Sequence, residues 1–378
     1  MELSVRRRWL GEMAPIRHFD GTLILAVLGL LTFGMLMVFS ATHTSLEALN
    51  QDTGFYLKKQ LAFAVLGFLV MLGVASFDYR MVKVYAPIGY GVVLFLLFVV
   101  LTPLGSETAG SQRWITLPGF QLQPSEFAKL AVVAMLAAYL SEVRGSPQLD
   151  HVWRAAGIAL APLVFVFLQP DVGTSMVFAM LLIGMLVVSG ARARHIGILA
   201  LVAIVATLGA FRVGIVRDYQ VARLTAFIDP EADPLRAGYN KAQAEIAIGA
   251  GGITGRGYLD GTQTNLDFVP EQHTDFIFTV VGEELGFVGA IVLLMLYGLV
   301  LWRGFRIAMM SKDLFGTLLA LGIVTILAFQ VFVNIGMTLG IMPITGIPLP
   351  FLSYGGSSMI TSFLAVGLLL NIHMRRFQ

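Results

Sequence analysis

The stretch TLILAVLGLLTFGMLMVFS, residues 22–40, holds no charged side chain in 19 positions. A helix of that length rises about 28 Å, close to the hydrocarbon thickness of a bilayer. It follows Arg6-Arg7-Arg8, as a signal peptide would. The apolar run outlasts an h-region, however, so it reads as an uncleaved membrane anchor. Nine comparable stretches follow, at 59–77, 85–104, 125–141, 155–169, 172–190, 195–211, 275–301, 315–339 and 354–372. The whole chain agrees with this reading: 378 residues, 57% hydrophobic, 13% charged, mean hydropathy +0.81. That excludes a water-soluble globule, which would expose large apolar patches. It also excludes disorder, which needs low hydrophobicity and high charge. With no Cys, disulfides, thiolate metal sites and a Cys nucleophile are excluded as well. The expected fold is an all-α polytopic membrane protein of about ten transmembrane helices, with a long extracytoplasmic loop between helices 7 and 8. It forms a single membrane domain over 1–378.

The basic residues orient the spans. With the amino terminus inside, the inside segments collect fifteen Lys and Arg, from Arg6 through Arg80, Arg144, Arg192 and Arg303 to Arg376. The short outside loops hold three, Lys58, Lys59 and Arg113. Long loops count little in this rule, so the six in 212–274 do not change the outcome. Both termini, 1–21 and 373–378, are expected in the cytoplasm. The fifth and sixth spans meet at Gln169-Pro170-Asp171, where proline forces a tight turn and Asp171 is a natural N-cap.

Two outside loops stand out, 105–124 and the 63-residue segment 212–274. The second is longer than a passive connector requires. Its amphipathic stretch Tyr239–Ile248 predicts a short helix on the membrane surface. Charges inside spans are costly. Glu126 and Lys129, three residues apart at the start of the fourth span, share a helix face and can pair, with Ser125 as N-cap. They form either a structural ion pair or the wall of a cavity open to the outside. Asp275 opens the eighth span at the outer interface, as an N-cap carboxylate or as a working acid. Glu283 falls near the same face, as cavity lining or as helix–helix glue. His273 has no second His nearby, so a zinc site is not expected. The Gly- and Pro-rich segment from Asn334 to Ser358 reads as a re-entrant or irregular outer loop.

These motifs together resemble the SEDS family of bacterial shape, elongation, division and sporulation proteins, typified by RodA, FtsW and SpoVE. The resemblance rests on Gly110 to Ile115, Gln123-Pro124-Ser125-Glu126, Gln169 to Ser175, Pro270-Glu271 with His273 to Phe278, Gly282 to Gly286, and the Asn334–Ser358 segment. Gly346-Ile347-Pro348-Leu349-Pro350, Asp218-Tyr219-Gln220, Asp229-Pro230, Asp233-Pro234 and Ile246 to Gly252 make it most like the RodA type. The resemblance implies a peptidoglycan glycosyltransferase that polymerises lipid II at the outer face of the cytoplasmic membrane during elongation. It carries the family's essential aspartate to Asp275, its loop tryptophan to Trp114, and its charged pair to Glu126 and Lys129. A single inverting displacement needs a base for the acceptor hydroxyl and positive charge for the departing pyrophosphate. Asp275 is the expected base. Lys129, Arg113 and Arg223 are the expected pyrophosphate ligands, Trp114 a sugar-stacking face or an interfacial anchor, and Asp171 and Glu283 cavity lining. The carboxylates allow a divalent cation (Mg2+ or Mn2+) to share the load, and nothing in the sequence demands one. Family partners are a class B penicillin-binding protein, MreC, MreD and RodZ; no nucleic-acid partner is expected. The alternatives are a lipid II flippase, a division-type polymerase and a non-enzymatic scaffold. A flippase needs a path open to both faces, whereas Arg113, Glu126, Lys129, Asp171 and Asp275 gather near one.

Overall fold

The structure is a computed structural model that describes residues 19–108, 111–213, 227 and 237–376. Gly110 and Arg223 lie outside the described residues, as do the motifs at 218–220, 229–230 and 233–234. Ten long helices fall on the ten apolar stretches: α1 Gly21–Ala48, α2 Phe55–Ser76, α3 Tyr79–Val100, α4 Pro124–Leu140, α5 Leu149–Leu168, α6 Val172–Val188, α7 Ala193–Val213, α10 Ile277–Met309, α11 Leu314–Thr338 and α12 Gly356–Met374. Two helices of the long loop, α8 Ala237–Gly251 and α9 Thr262–Asn265, lie between α7 and α10. Among the described residues seven helices are individually long and apolar enough to cross a membrane, and two more apolar ones are shorter. The chain is a multi-pass, all-α membrane protein.

Helix ends follow local chemistry. Asp20, Asp78, Asp171 and Asp313 each accept a backbone N–H of the first turn of the helix they precede. Asp171 thus takes the capping role expected of it, and its second oxygen accepts the Thr174 hydroxyl at 2.9 Å. Ser125 does not cap α4. The helix begins two residues earlier than a Ser125 cap would place it, with Gln123 as N-cap and Pro124 in the first turn, where a missing N–H costs nothing.

α12 is buried almost all round and packs along α2. α10 packs against α1 and α11, and α11 against α4 and α6. α3 is peripheral, and in α7 every residue from 201 to 209 is exposed, leaving apolar surface for lipid to cover. Between apolar helices in lipid, packing and hydrogen bonds hold the bundle together.

Three departures from the sequence reading matter for the site. The 105–124 loop folds into a small antiparallel sheet, β1 Ser106–Thr108, β2 Ser111–Leu117 and β3 Phe120–Leu122, with β2 in the middle. Second, α8 packs against α10, with Ala244 and Ala247 buried, so the expected amphipathic helix is tied into the fold. Third, α10 breaks at Gly286 (φ 62°, ψ −157°). A break within a span must re-satisfy its backbone groups. Here the loop after α8 does so: Arg256 and Gly257 N–H donate to the Glu283 and Glu284 carbonyls, and Phe287 and Val288 N–H donate to Gly252 and Ile253, all at 3.0–3.1 Å. A Cβ at residue 286 would lie 2.3 Å from the Gly255 nitrogen, so only glycine fits.

The segment 339–355 is irregular, as its Gly and Pro content implied, and it dips into the bundle. Ile347, Leu349, Phe351 and Leu352 are buried. Helix side chains meet its carbonyls: the Tyr297 hydroxyl donates to Pro350 at 2.6 Å, and the Gln60 amide to Leu352 at 3.4 Å.

Candidate active site

One end of the bundle carries the sheet, α8, α9 and the 339–355 segment. There a cleft of about 560 Å³ opens between four pieces of chain. α2 contributes Phe55, Tyr56, Lys59 and Phe63; the sheet contributes Trp114, Thr116, Phe120 and Gln121; the turn before α10 contributes Glu271, His273 and Thr274; and Tyr354 to Gly356 close the side next to α12.

Strand alternation explains which residues of β2 reach it. Trp114 and Thr116 line the cleft, while Arg113 turns to the opposite face. The Arg113 guanidinium donates to the Gln169 carbonyl at 3.2 Å and to that of Pro170, and sits 3.8 Å from Asp171. It staples the α5–α6 turn instead of lining the cleft. β3 is pinned to α12 by Ser357, whose hydroxyl accepts from Gln123 N–H and donates to the Gln121 carbonyl.

The turn ahead of α10 is built on Glu271, a non-glycine residue at φ 54°. Its carbonyl accepts the N–H groups of Thr274, Asp275 and Phe276 at 3.1–3.3 Å. Asp275 therefore lies in the turn and α10 starts at Ile277, two residues later than the apolar pattern suggests, because the turn consumes the first residues of that pattern. His273 packs its ring against Tyr56 (4.8 Å between centroids) and Tyr354 (5.7 Å), and its carbonyl accepts Tyr354 N–H at 2.8 Å. Burial holds the imidazole below its ordinary range, partly offset by the nearby Glu271 and Asp267 carboxylates. It is a neutral ring at pH 7.

Asp275 is half-buried and is not among the cleft-lining residues. Its carboxylate lies beside Gly346, at φ +72°, where a Cβ would come within 3.0 Å of the Asp275 Oδ2. Its backbone carbonyl accepts the Asn334 side-chain amide at 2.8 Å. The acid thus sits on the flank of the turn whose preceding residues, His273 and Thr274, face the cleft.

Glu126 and Lys129 occupy different surroundings. They pair at 2.7 Å with side chains 3–4% exposed, against Gln330 of α11 and Thr361 and Ser362 of α12. Neither lines the cleft: the first turns of α4 are covered by α11 and α12. Glu283 is also sealed. Its carboxylate accepts the N–H groups of Gln263 and Thr264 at 2.8 and 2.9 Å, capping α9. The helical phase that put it on the face of Asp275 does not apply, since Asp275 precedes the helix. Glu284, equally buried, accepts the Ser40 hydroxyl of α1.

Sequence reasoning missed Tyr56, Lys59 and the wall role of His273. Lys59 was counted only as an outside-loop charge. Its helix starts at Phe55, and the Phe55-Tyr56…Lys59 spacing places all three in the first turns of α2, with the ammonium 4.4 Å from the Phe55 ring centre. Among the described residues no carboxylate lies within ion-pair distance of it.

The family model described as "Cell cycle protein", covering FtsW, RodA and SpoVE, matches residues 21–378. The chain belongs to this family. It is 39% identical to the peptidoglycan glycosyltransferase MrdB of Escherichia coli K12, over 95% of this chain and 94% of that one. It is equally 39% identical to stage V sporulation protein E of Bacillus subtilis, over 93% and 96% of the two chains. Among solved structures it resembles a component of a peptidoglycan synthase complex that coordinates polymerization and crosslinking (TM-score 0.79, 32% identity, 95% and 99% covered). It also resembles the rod shape determining protein RodA of Thermus thermophilus (TM-score 0.70, 30% identity, 98% and 99% covered).

For a protein of this family the cleft offers aromatic surfaces for a sugar, one cation for an anionic group and a carboxylate on the adjoining flank. Among the described residues no group of three or more His, Asp or Glu side chains is placed to hold a metal ion.

Proposed function

We propose that this chain is a peptidoglycan glycosyltransferase that polymerises lipid II during cell elongation. Its loop-bearing end faces outward from the cytoplasmic membrane and both termini lie in the cytoplasm. The observation that carries the proposal is the cleft itself: aromatic walls and Lys59 at one end of a membrane bundle, flanked by Asp275. A lipid-linked sugar is amphipathic and must be met at the membrane surface, which is where these residues gather.

In this reading Asp275 takes the proton of the acceptor 4-hydroxyl as that oxygen attacks the anomeric carbon of the donor. The bond to the lipid pyrophosphate breaks, undecaprenyl diphosphate leaves, and the α-linkage becomes β-1,4 by a single inversion. Trp114 stacks on a sugar face. Lys59 takes the part of pyrophosphate ligand, because Arg113 and Lys129 are engaged elsewhere. Arg223 can join it from the long loop. Glu126 and Lys129 act from within the bundle, holding α4 against α11 and α12. The relative in the synthase complex supports a crosslinking partner, a class B penicillin-binding protein, and MreC, MreD and RodZ are proposed as neighbours.

Purified protein in liposomes, given lipid II on the accessible leaflet, distinguishes this from transport. Glycan polymer is the expected product. Movement of lipid II between leaflets without polymer would support the flippase instead.

A further inference from the structure

Asn334 lies in the penultimate turn of α11 and is completely buried. Its side-chain nitrogen donates both hydrogens: one to the Asp275 carbonyl at 2.8 Å, the other to the Ile347 carbonyl at 2.8 Å. Its side-chain oxygen has no hydrogen-bond partner. Burying a polar acceptor without a partner is unfavourable, and an apolar residue of similar size would avoid it. The two donor contacts are what the carboxamide supplies in return. Only the orientation with nitrogen toward the two carbonyls is tenable, since the reverse would set three oxygens together.

What the amide joins is specific. Asp275 and Ile347 belong to segments separated by the whole of α10 and α11. Residue 346, next to Ile347, is the glycine against which the Asp275 carboxylate lies, within 3.0 Å of where a Cβ would be. The amide therefore fixes the acid's backbone and the backbone of its neighbouring wall to each other, through a rigid helix. Asn334 does not line the cleft, and it makes no contact that would select a substrate.

We infer that Asn334 is the positioning residue for Asp275, tethering the Asp275–Phe276 peptide to the Ile347–Pro348 peptide, one residue beyond Gly346, so that the carboxylate keeps one direction at the flank of the cleft. The inference rests on Asp275 being the base. It predicts a larger effect on turnover than on substrate capture, because the cationic wall and all the aromatic walls but His273 are carried by α2, β2, β3 and Tyr354.

The test is lipid II polymerisation by purified full-length protein with Asn334→Asp, which keeps the shape but sets an acceptor against two carbonyls. Gly346→Ala is the independent second variant: it leaves Asn334 in place and crowds the carboxylate. Asp275→Asn is measured beside them, with thermal unfolding of each. The expected result is a loss of kcat of about 10- to 100-fold with KM for lipid II within about twofold of wild type. Measured against wild type at the same pH, Asn334→Asp should also recover part of its rate as pH falls and the new carboxyl gains a proton that can donate. Wild-type kcat in both variants, or a raised KM with kcat intact, would overturn the positioning role while leaving the base assignment standing if Asp275→Asn is inactive. An active Asp275→Asn would remove both. A kcat loss in Asn334→Asp that persists unchanged at low pH, with wild-type kcat in Gly346→Ala, would reduce Asn334 to a structural tie and overturn the inference.

Discussion

Two places put charge near the loop-bearing end of the bundle, and they end up in opposite environments. Glu126 and Lys129 face each other in a site closed by α11 and α12. The 271–276 turn, with Glu271, His273 and Asp275, stands at the edge of an open cleft. The spacing of each is equally suggestive on paper. What separates them is whether the neighbouring helices seal the group. A sealed pair has spent its charge on its partner, whereas a half-exposed acid beside a cleft remains able to exchange a proton with a bound hydroxyl.

The comparison can be broken most forcefully at the sealed pair. Lys129→Met strands the Glu126 carboxylate in the bundle and is expected to cost about 3–5 kcal/mol, read as loss of folded protein in detergent. The double variant Glu126→Gln/Lys129→Met removes both charges and should restore most of the stability. If it also restores polymerisation, the pair is a clamp. If it folds but stays inactive, Lys129 has a chemical part that the sealed geometry hides. At the open cleft the expected effects are smaller and fall on KM. Trp114→Ala should weaken substrate capture about tenfold, equivalent to ~1.4 kcal/mol, with kcat less affected. Lys59→Met should do so several-fold, with an effect that shrinks in high salt. Equal losses of kcat in these variants would contradict their role as walls.

The smallest effect is a pH dependence at His273. Its pKa in the folded protein lies below the ordinary 6.5, so the unfolded turn binds more protons on acidification. Packing of the turn is then fully retained above 6.5 and weakens as pH falls below that value. Polymerisation should decline over that window, and His273→Gln should flatten the decline. A profile unchanged by the substitution would separate the imidazole from the acid limb.

Much of the fold was legible because lipid allows few solutions: each apolar run had to become a helix, and all ten did. The site was legible only in part. Asp275 and Trp114 could be singled out from residue type and motif, whereas Asp171, expected as cavity lining, is the N-cap of α6 and does not line the cleft. The sheet at 106–122 could not, since its strands are three to seven residues long and lack a sustained alternation. Arg113 was read as a cleft ligand because sequence does not reveal which face of β2 it occupies. Glu283 was misphased because the helix start shifted past Asp275. Asn334 was visible as a residue but not as a contact, since its partners lie 59 and 13 positions away. Sequence displayed the charges; tertiary packing decided which of them were covered.

The central claim is that Asp275 is the base at this cleft. Purified protein carrying Asp275→Ala, shown to fold by its unfolding transition and to bind lipid II, should polymerise at least about 100-fold more slowly than wild type. Polymer formed at a near wild-type rate by that variant would contradict the account.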